Sequence, residues 1–503
     1  MSMSIRGSRL DDWPTRWVVP TLLLLVAFAL RLAVALRFPG IHHPDEIFQS
    51  LEQAHRVVFG PGLIPWEFRD GARSWLLPGL LIPPMWLGER LAPGTDAYRH
   101  CAVGVVALIS ATIPLLGWWW GRRHGRTHGI VAAAALLTWF ELLHFGARAF
   151  SEVVAGACLF AAVFLCSDRT TLASSRRTAL AGFLLGSTFV FRFHLAPAIV
   201  LSAAWLARRE LRRGWLPMIA GGLVPLAVLG AVDWSTWSVP FHSIIENLRF
   251  NIVEGRSHLY GTSPWYAYLD EFQARWGVVG SLVLGGLALC GARRQPLPLL
   301  VALVVVAIHS TIAHKEYRFL YPAIPLLVLC AAIGSADLSR WLAGRSRTAL
   351  AHLGLPLLAV AAWALGSYGL ARSEPSRTEW LRGNAGIELL ARAGRETTCG
   401  VALLGAEWYM SGGYSSLHRN VPLHLLYLDA PDDWDTEAFD VWIAPAGWLE
   451  RTPVAAAVGF EPRECRVQRA QGFERLCYWS RHRGGCRRQP ATEAQRVLEA
   501  RGY

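Results

Sequence analysis

The stretch Leu22 to Leu30 contains no polar side chain, and with its flanks, Trp17 to Phe38, it is long enough to cross a hydrocarbon core about 30 Å thick. Such a block has few structures open to it. Inside a bilayer every backbone N–H and C=O must find a partner within the protein, and a lone apolar stretch achieves this as a helix. Comparable segments recur at Cys101–Trp120, Ile130–Phe145, Val153–Cys166, Trp215–Val232, Trp276–Cys290, Leu297–Ala313, Phe319–Ala336 and Ala349–Tyr368. Ala179–Ala207 is too long for one helix and carries Arg192 and His194 in its middle, so it reads as two short helices broken at that polar pair. The total is about 11 segments. Trp75–Leu87 is apolar but rich in Pro and Gly, and is expected to be an interfacial or re-entrant piece.

The basic head Arg6, Arg9 and Arg16 also suits a signal peptide. No small-x-small cleavage site follows, and Arg37 to Pro44 reads badly as one, so the first segment is expected to remain as a helix. Charged residues make up 17% of the chain where a soluble protein has about a quarter, as a chain with so much apolar surface requires. The formal net charge is +12, with Lys315 the single lysine. Nucleic-acid binding is a poor explanation, because the arginines sit mostly at segment ends, where they fix topology and meet anionic headgroups.

Arginine placement also assigns sides. Alternate loops hold Arg122, Arg123 and Arg126; Arg169, Arg176 and Arg177; Arg208, Arg209, Arg212 and Arg213; Arg293 and Arg294; and Arg340, Arg345 and Arg347. By the positive-inside rule these loops and the N-terminus are cytoplasmic. The mixed loops then lie outside: a first loop over 38–99, a second over 233–275, and His314–Arg318. The expected organisation is a transmembrane domain over 1–371 and an extracytoplasmic mixed α/β domain over 372–503, where Gly400–Leu404 and Phe439–Ile443 read as buried strands. Of nine cysteines, Cys399, Cys465, Cys477 and Cys486 fall in that last domain without metal-site spacing, and can pair only in an oxidising compartment.

Three polar clusters stand out on the mixed side. His42-His43-Pro44-Asp45-Glu46 follows the first helix, and a carboxylate there can take a proton from a hydroxyl or hold a divalent cation. Helix capping at a membrane edge is the plainer explanation of the same residues. Asp233-Trp234, Asn247, Arg249, Phe250, Asn251, and Tyr260 through Trp265 and Tyr266 interleave aromatics with amides and hydroxyls, as sugar binding requires. An interfacial aromatic belt explains the rings but not the Asp, Asn and Arg. His314-Lys315-Glu316-Tyr317-Arg318 is a knot of ionisable groups at a membrane boundary, costly unless paired or liganded. Lys315 and Arg318, three apart, could hold a phosphate from one helical face. Arg148-Ala149-Phe150-Ser151-Glu152 and Arg192 with His194 are further polar breaks.

These residues resemble the Alg9/PIG-B-type mannosyltransferases, glycosyltransferase family 22, within the C-type (GT-C) glycosyltransferases. The resemblance runs through His43-Pro44-Asp45-Glu46 with Phe48-Gln49, Pro65-Trp66-Glu67-Phe68 with Arg73-Ser74-Trp75, Arg148-Ala149-Phe150-Ser151, the Asp233 to Trp265 pattern, and His314 to Pro322. Glu152 stands where that family commonly has Asn, and Tyr317 is a mild departure. The resemblance covers roughly residues 20 to 335 and leaves the C-terminal domain uncovered.

The resemblance implies an all-α GT-C membrane fold and an inverting transfer of mannose from a polyprenyl-phosphate-mannose donor to a lipid-linked or membrane-proximal glycan acceptor. It makes Asp45 the general base, with Glu46 beside it as a polar or acceptor-positioning group. Lys315, Arg318 and Arg192 are the expected donor-phosphate ligands. His43, Glu67, Arg148, Asp233, Trp234, Asn251, Tyr260, Trp265, His314 and Glu316 are expected around the sugar or acceptor. No nucleotide sugar, tightly bound metal or other cofactor is implied, although a loosely bound divalent cation is compatible. A C-type enzyme using another polyprenyl-phosphate sugar is the nearest alternative. A lipid-linked-sugar transporter is the more distant one, and it lacks support from any internal repeat. The bias to Arg, Ala and Gly over Lys resembles that of high-GC bacteria, which would place the mixed loops in the periplasm; in a eukaryote they would face the lumen of the endoplasmic reticulum.

Overall fold

The computed structural model describes residues 13–346, 348–426, 435–449, 459–467, 475–481 and 485–502. Arg6, Arg9 and Arg347 of the charge pattern lie outside them. Six helices among the described residues are long and apolar enough to span a bilayer: Val18–Arg37, Ala97–Arg122, Leu211–Trp237, Ala267–Ala292, Ile324–Arg345 and Leu350–Arg372. Three shorter apolar helices, Ser151–Cys166, Phe193–Ala207 and Leu297–Thr311, accompany them. Their outward faces are bare hydrocarbon, with Leu25, Leu223, Val279, Leu282, Leu353 and Leu365 each more than half exposed. So large an apolar exterior is what lipid requires and water would not tolerate.

Lipid supplies no hydrophobic drive between helices, so close approach through small residues has to hold them together. Helices Ser175–Phe191 and Leu216–Trp237 cross at a reciprocal pair of glycines. A Cβ on Gly182 would lie 1.9 Å from the Met218 carbonyl oxygen, and one on Gly221 would lie 1.9 Å from that of Ala179. Gly291 and Gly334 repeat the device between Ala267–Ala292 and Ile324–Arg345, where a Cβ on either would lie 2.0 Å from a facing carbonyl.

The breaks in these helices have sequence causes. Ser175–Phe191 ends at Arg192, whose extended backbone (φ −150°, ψ 85°) leads through the turn Phe193–Leu195 into Ala196–Ala207, which is the expected interruption. Ile130–Phe145, expected as one segment, is instead two helices, Arg126–Thr138 and Phe140–Phe145. Trp139 takes an extended conformation between them, and its indole N–H donates to Glu141 at 2.7 Å. Trp75–Leu87 is realised as a helix, Leu76–Leu91, with Pro83 and Pro84 inside it and Trp86, Leu87 and Leu91 exposed.

The C-terminal part forms a five-stranded mixed sheet. Its strands are β1 (Val401–Leu404), β2 (Leu423–Leu426), β3 (Val441–Pro445), β4 (Glu461–Val467) and β5 (Arg475–Ser480), in the order β2-β1-β3-β5-β4. β1 pairs in parallel with β2 and β3, whereas β3–β5 and β4–β5 are antiparallel. The two strands read from the sequence are β1 and β3, fully buried at the centre. β4 went unread because its residues are mostly exposed and charged. Two disulfides tie the domain: Cys399–Cys486, and Cys465–Cys477 between register partners of β4 and β5.

Gly221→Val and Gly334→Val should each destabilise the protein by about 2 kcal/mol or more, as expected where a side chain has no room. Gly354 is the control, because a Cβ placed there would meet nothing within 4 Å. Thermal unfolding in detergent checks this; equal melting temperatures for Gly221→Val and Gly354→Val would contradict the packing.

Candidate active site

The site begins where the first helix, Trp13–Arg37, ends. Gly40 lies so close to the Arg382 carbonyl that a Cβ would meet it at 2.2 Å, and Ile41 N–H donates to the same oxygen at 2.8 Å. Glu46, buried, accepts from His42 N–H and pairs with Arg148 at 3.0 Å, while Arg148 also donates to the Gly40 carbonyl at 2.6 Å. These contacts close the loop on itself. The chain then enters a wide π-turn, Ile47–Leu51, and Asp45 is left at its mouth.

Asp45 faces a guanidinium that organises the whole site. Arg318, in the turn Tyr317–Leu320, donates to Asp45 Oδ2 at 2.6 Å, to Glu152 Oε1 at 3.1 Å and to Glu316 Oε2 at 2.5 Å. It is sandwiched between the rings of Phe150 and Phe319, at 5.1 and 5.0 Å. Arg192, delivered by the helix break, shares Glu152 at 3.2 Å. His43 bridges the two outer carboxylates, with Nδ1 3.2 Å from Asp45 and Nε2 3.3 Å from Glu316. His314 Nε2 reaches Glu316 at 2.9 Å. Lys315 lies outside any helix, before Glu316 with its extended backbone, and donates to the Ser263 carbonyl at 3.0 Å. The helical face expected to pair Lys315 with Arg318 is therefore not formed.

Burial works against the charge on Asp45, but Arg318, His43 and Arg73 outweigh it and hold its carboxyl well below the usual carboxylate range. Glu316 is also lowered, burial again being overcome by Arg318 and His43. Glu67 goes the other way. Burial, with the neighbouring Asp45 charge, pushes it up to about 7. Its Oε1 accepts from Gln49 Nε2 at 2.6 Å. Two carboxylates on one wall are thus held in opposite protonation tendencies, an arrangement that commonly separates a charged partner from a proton donor.

A cavity of about 740 Å³ collects these groups. Of the residues expected from the sequence, His43, Asp45, Glu67, Arg192, Asn251, Tyr260, His314, Lys315, Glu316 and Arg318 line it. Five others do not. Glu46 and Arg148 staple the loop from behind, and Asp233 is buried as acceptor for Ser243 N–H and Oγ at 3.0 and 2.6 Å. Trp234 and Trp265 are 66% and 70% exposed, as the aromatic-belt explanation expects. Sequence reasoning missed Arg73, 3.9 Å from Asp45, though it stood inside a quoted motif. Trp408, Tyr409, Leu498 and Arg501 of the C-terminal part also line the cavity, and nothing in their local sequence signalled it. A smaller cavity of about 70 Å³ lies on the other side of Asp45, Gln49, Arg73 and Arg318.

Residues 22–379 match the model of the Alg9-like mannosyltransferase family. The chain is 30% identical over 333 residues to GPI mannosyltransferase 3 of Yarrowia lipolytica, covering 63% of each chain. It is 28% identical over 385 residues to GPI mannosyltransferase 3 of Trypanosoma brucei brucei, covering 64% of this chain and 66% of that one. The match to GPI alpha-1,2-mannosyltransferase 3 of Danio rerio is 26% over 333 residues, 59% of this chain and 56% of the other. The chain thus spans a little under two thirds of the length of these curated relatives. Among solved structures, ArnT from Cupriavidus metallidurans bound to undecaprenyl phosphate superposes with a TM-score of 0.57 over 95% of this chain and 100% of that one. At 12% identity this likeness establishes a shared GT-C fold and no more.

The raised Glu67 pKa has a checkable sign. From its ordinary value of 4.5 up to about 7, the folded protein holds a proton that the unfolded chain has released. Its contribution to stability should therefore fall as pH rises through that window and level off above it. Burial also pushes Glu52 up to about 7, so infrared difference titration should show a protonated-carboxyl band lost near pH 7 that loses one component, and not the whole, in Glu67→Gln; a band unchanged in the variant would contradict the assignment.

Proposed function

The chain belongs to the Alg9-like mannosyltransferase family, and on that premise we propose that it is an inverting mannosyltransferase. It moves mannose from a polyprenyl-phosphate-mannose donor to a hydroxyl of a membrane-proximal glycan or glycolipid. The observation that carries this reading is the gathering of Asp45 with Arg192, Lys315, Arg318 and Arg73 around one cavity. The relatives' names make a GPI-type glycolipid the first acceptor to test.

The chemistry is a single displacement. The acceptor hydroxyl gives its proton to Asp45 while its oxygen forms a bond to the anomeric carbon. The bond from that carbon to the phosphate oxygen breaks, and its electron pair leaves with the polyprenyl phosphate. Attack and departure on opposite faces invert the anomeric centre and need no sugar–enzyme bond. The basic groups offset charge growing on the departing phosphate. Arg318 is committed to three carboxylates, so Lys315 and Arg192 are the better candidates to meet the phosphate first. Donor phosphate competing for Arg318 would loosen its hold on Asp45 and raise the basicity of that carboxylate, which couples donor binding to proton removal.

The site is proposed to face the extracytoplasmic side. The arginine-rich loops at the other ends of the helices support this, as do the two disulfides in the C-terminal domain. The scheme requires no metal, because the guanidinium groups already supply positive charge. Transfer should survive chelation with EDTA; loss that a divalent cation restores would contradict a metal-free displacement.

Asp45→Asn should reduce transfer at least about 1,000-fold with insertion and abundance unchanged, in keeping with loss of a positioned base. Lys315→Ala should raise the donor KM several-fold. Membranes assayed with a panel of polyprenyl-phosphate sugars decide the reading: near-normal turnover by Asp45→Asn, or exclusive use of a donor other than mannose, would overturn it.

A further inference from the structure

We infer that the C-terminal domain is the acceptor wall of the active site, with Trp408 and Tyr409 forming an aromatic platform for the acceptor sugar. The inference rests on the mannosyltransferase reading above and adds to it a binding surface that lies beyond residue 379, where the family match ends.

The same cavity that holds Asp45 is closed by Trp408, Tyr409 and Leu498. Trp408 is brought there by Phe48, which follows Asp45 in the π-turn and packs against the indole at 5.0 Å. Tyr409 meets the edge of Trp408 at 5.8 Å. Both rings are half-buried, leaving surface open to the cavity.

Two polar clamps fix this wall against the first loop. Glu52, fully buried, accepts from Leu63 N–H at 2.8 Å, Tyr414 N–H at 2.9 Å and Ser415 N–H at 2.6 Å. Gln495 accepts from Ile64 N–H at 2.8 Å and donates back to the Ile64 carbonyl at 3.2 Å. A buried carboxylate is costly unless so many donors converge on it. Both clamps grip Leu63–Ile64, the segment just before Trp66 and Glu67, which line the cavity. The domain is therefore a fitted part of the site and more than a tethered extension.

The chemistry of the two walls differs. The transmembrane wall is basic, with Arg192 and Lys315 suited to a phosphate. The C-terminal wall offers ring faces, which suit the C–H face of a pyranose, and Glu67 and Asn251 line the same cavity as polar groups for its hydroxyls. A donor held on the basic wall leaves the aromatic wall for the acceptor.

The test uses the full-length enzyme in detergent, with donor and acceptor varied in turn. Trp408→Ala and Tyr409→Ala should raise the acceptor KM about tenfold, the scale of a lost aromatic contact, and leave the donor KM within about twofold. Trp408→Phe should recover most of the loss, which a merely structural role would not predict. An unchanged acceptor KM, or acceptor and donor KM rising together, would overturn the inference. If Trp408→Ala does not fold, Tyr409→Ala decides. If the wild type transfers no sugar, the functional reading fails by itself, and the platform is judged by calorimetric titration with octyl α-mannoside. Binding weakened about tenfold in the variant supports the platform; no binding by wild type, or equal binding by both, overturns it.

Discussion

Three carboxylates, buried Glu152 and half-buried Asp45 and Glu316, converge on the guanidinium of Arg318. They come from the first loop, the start of the helix Ser151–Cys166 and the turn after Leu297–Thr311, so one side chain draws together segments far apart in the chain. Burying such charges is tolerated only when each is paired and hydrogen-bonded. Arg318 meets this with Nε and both terminal nitrogens in use and aromatic rings on two sides. Removing it would leave three carboxylates together without the cation they share, which is why donor binding is better probed at Lys315.

The rest of the fold can be understood as what holds those segments in place. The break at Arg192 lets its guanidinium reach Glu152 at the start of Ser151–Cys166. Glu46 and Arg148, which the sequence suggested for chemistry, keep the loop tight so that Asp45 projects into the cavity. The C-terminal domain completes the enclosure through Glu52 and Gln495. The cavity is thus enclosed by contacts between parts separated by more than 360 residues, such as Tyr414 with Glu52 and Gln495 with Ile64.

Much of this was legible beforehand because membrane insertion imposes long apolar blocks and because charges near a bilayer are rare enough to be informative. The helical membrane fold, the break at Arg192 and the C-terminal strands β1 and β3 followed from those rules. What escaped has physical reasons too. Asp233 and Glu46 carry the same side chains a catalytic group would, and only their partners, Ser243 and Arg148, reveal a structural task. Trp234 and Trp265 satisfy an aromatic pattern but face outward. Lys315 and Arg318 have helical spacing, yet the backbone at Glu316 is extended (φ −133°, ψ 140°), so spacing did not become a shared face. Trp408 and Tyr409 reach the site only through the tertiary contact with Phe48.

Asp45 and the basic groups around Arg318 are proposed to address opposite ends of one reacting bond. A structure of the protein with a non-transferable polyprenyl-phosphate-mannose analogue tests it most directly. The phosphate should lie against Lys315 and Arg192, with Arg318 adjoining, and the anomeric carbon should present its far face toward Asp45, leaving room for a hydroxyl within about 3 Å of the carboxylate. A phosphate bound away from these cations, or an anomeric carbon whose open face is turned from Asp45, would contradict it.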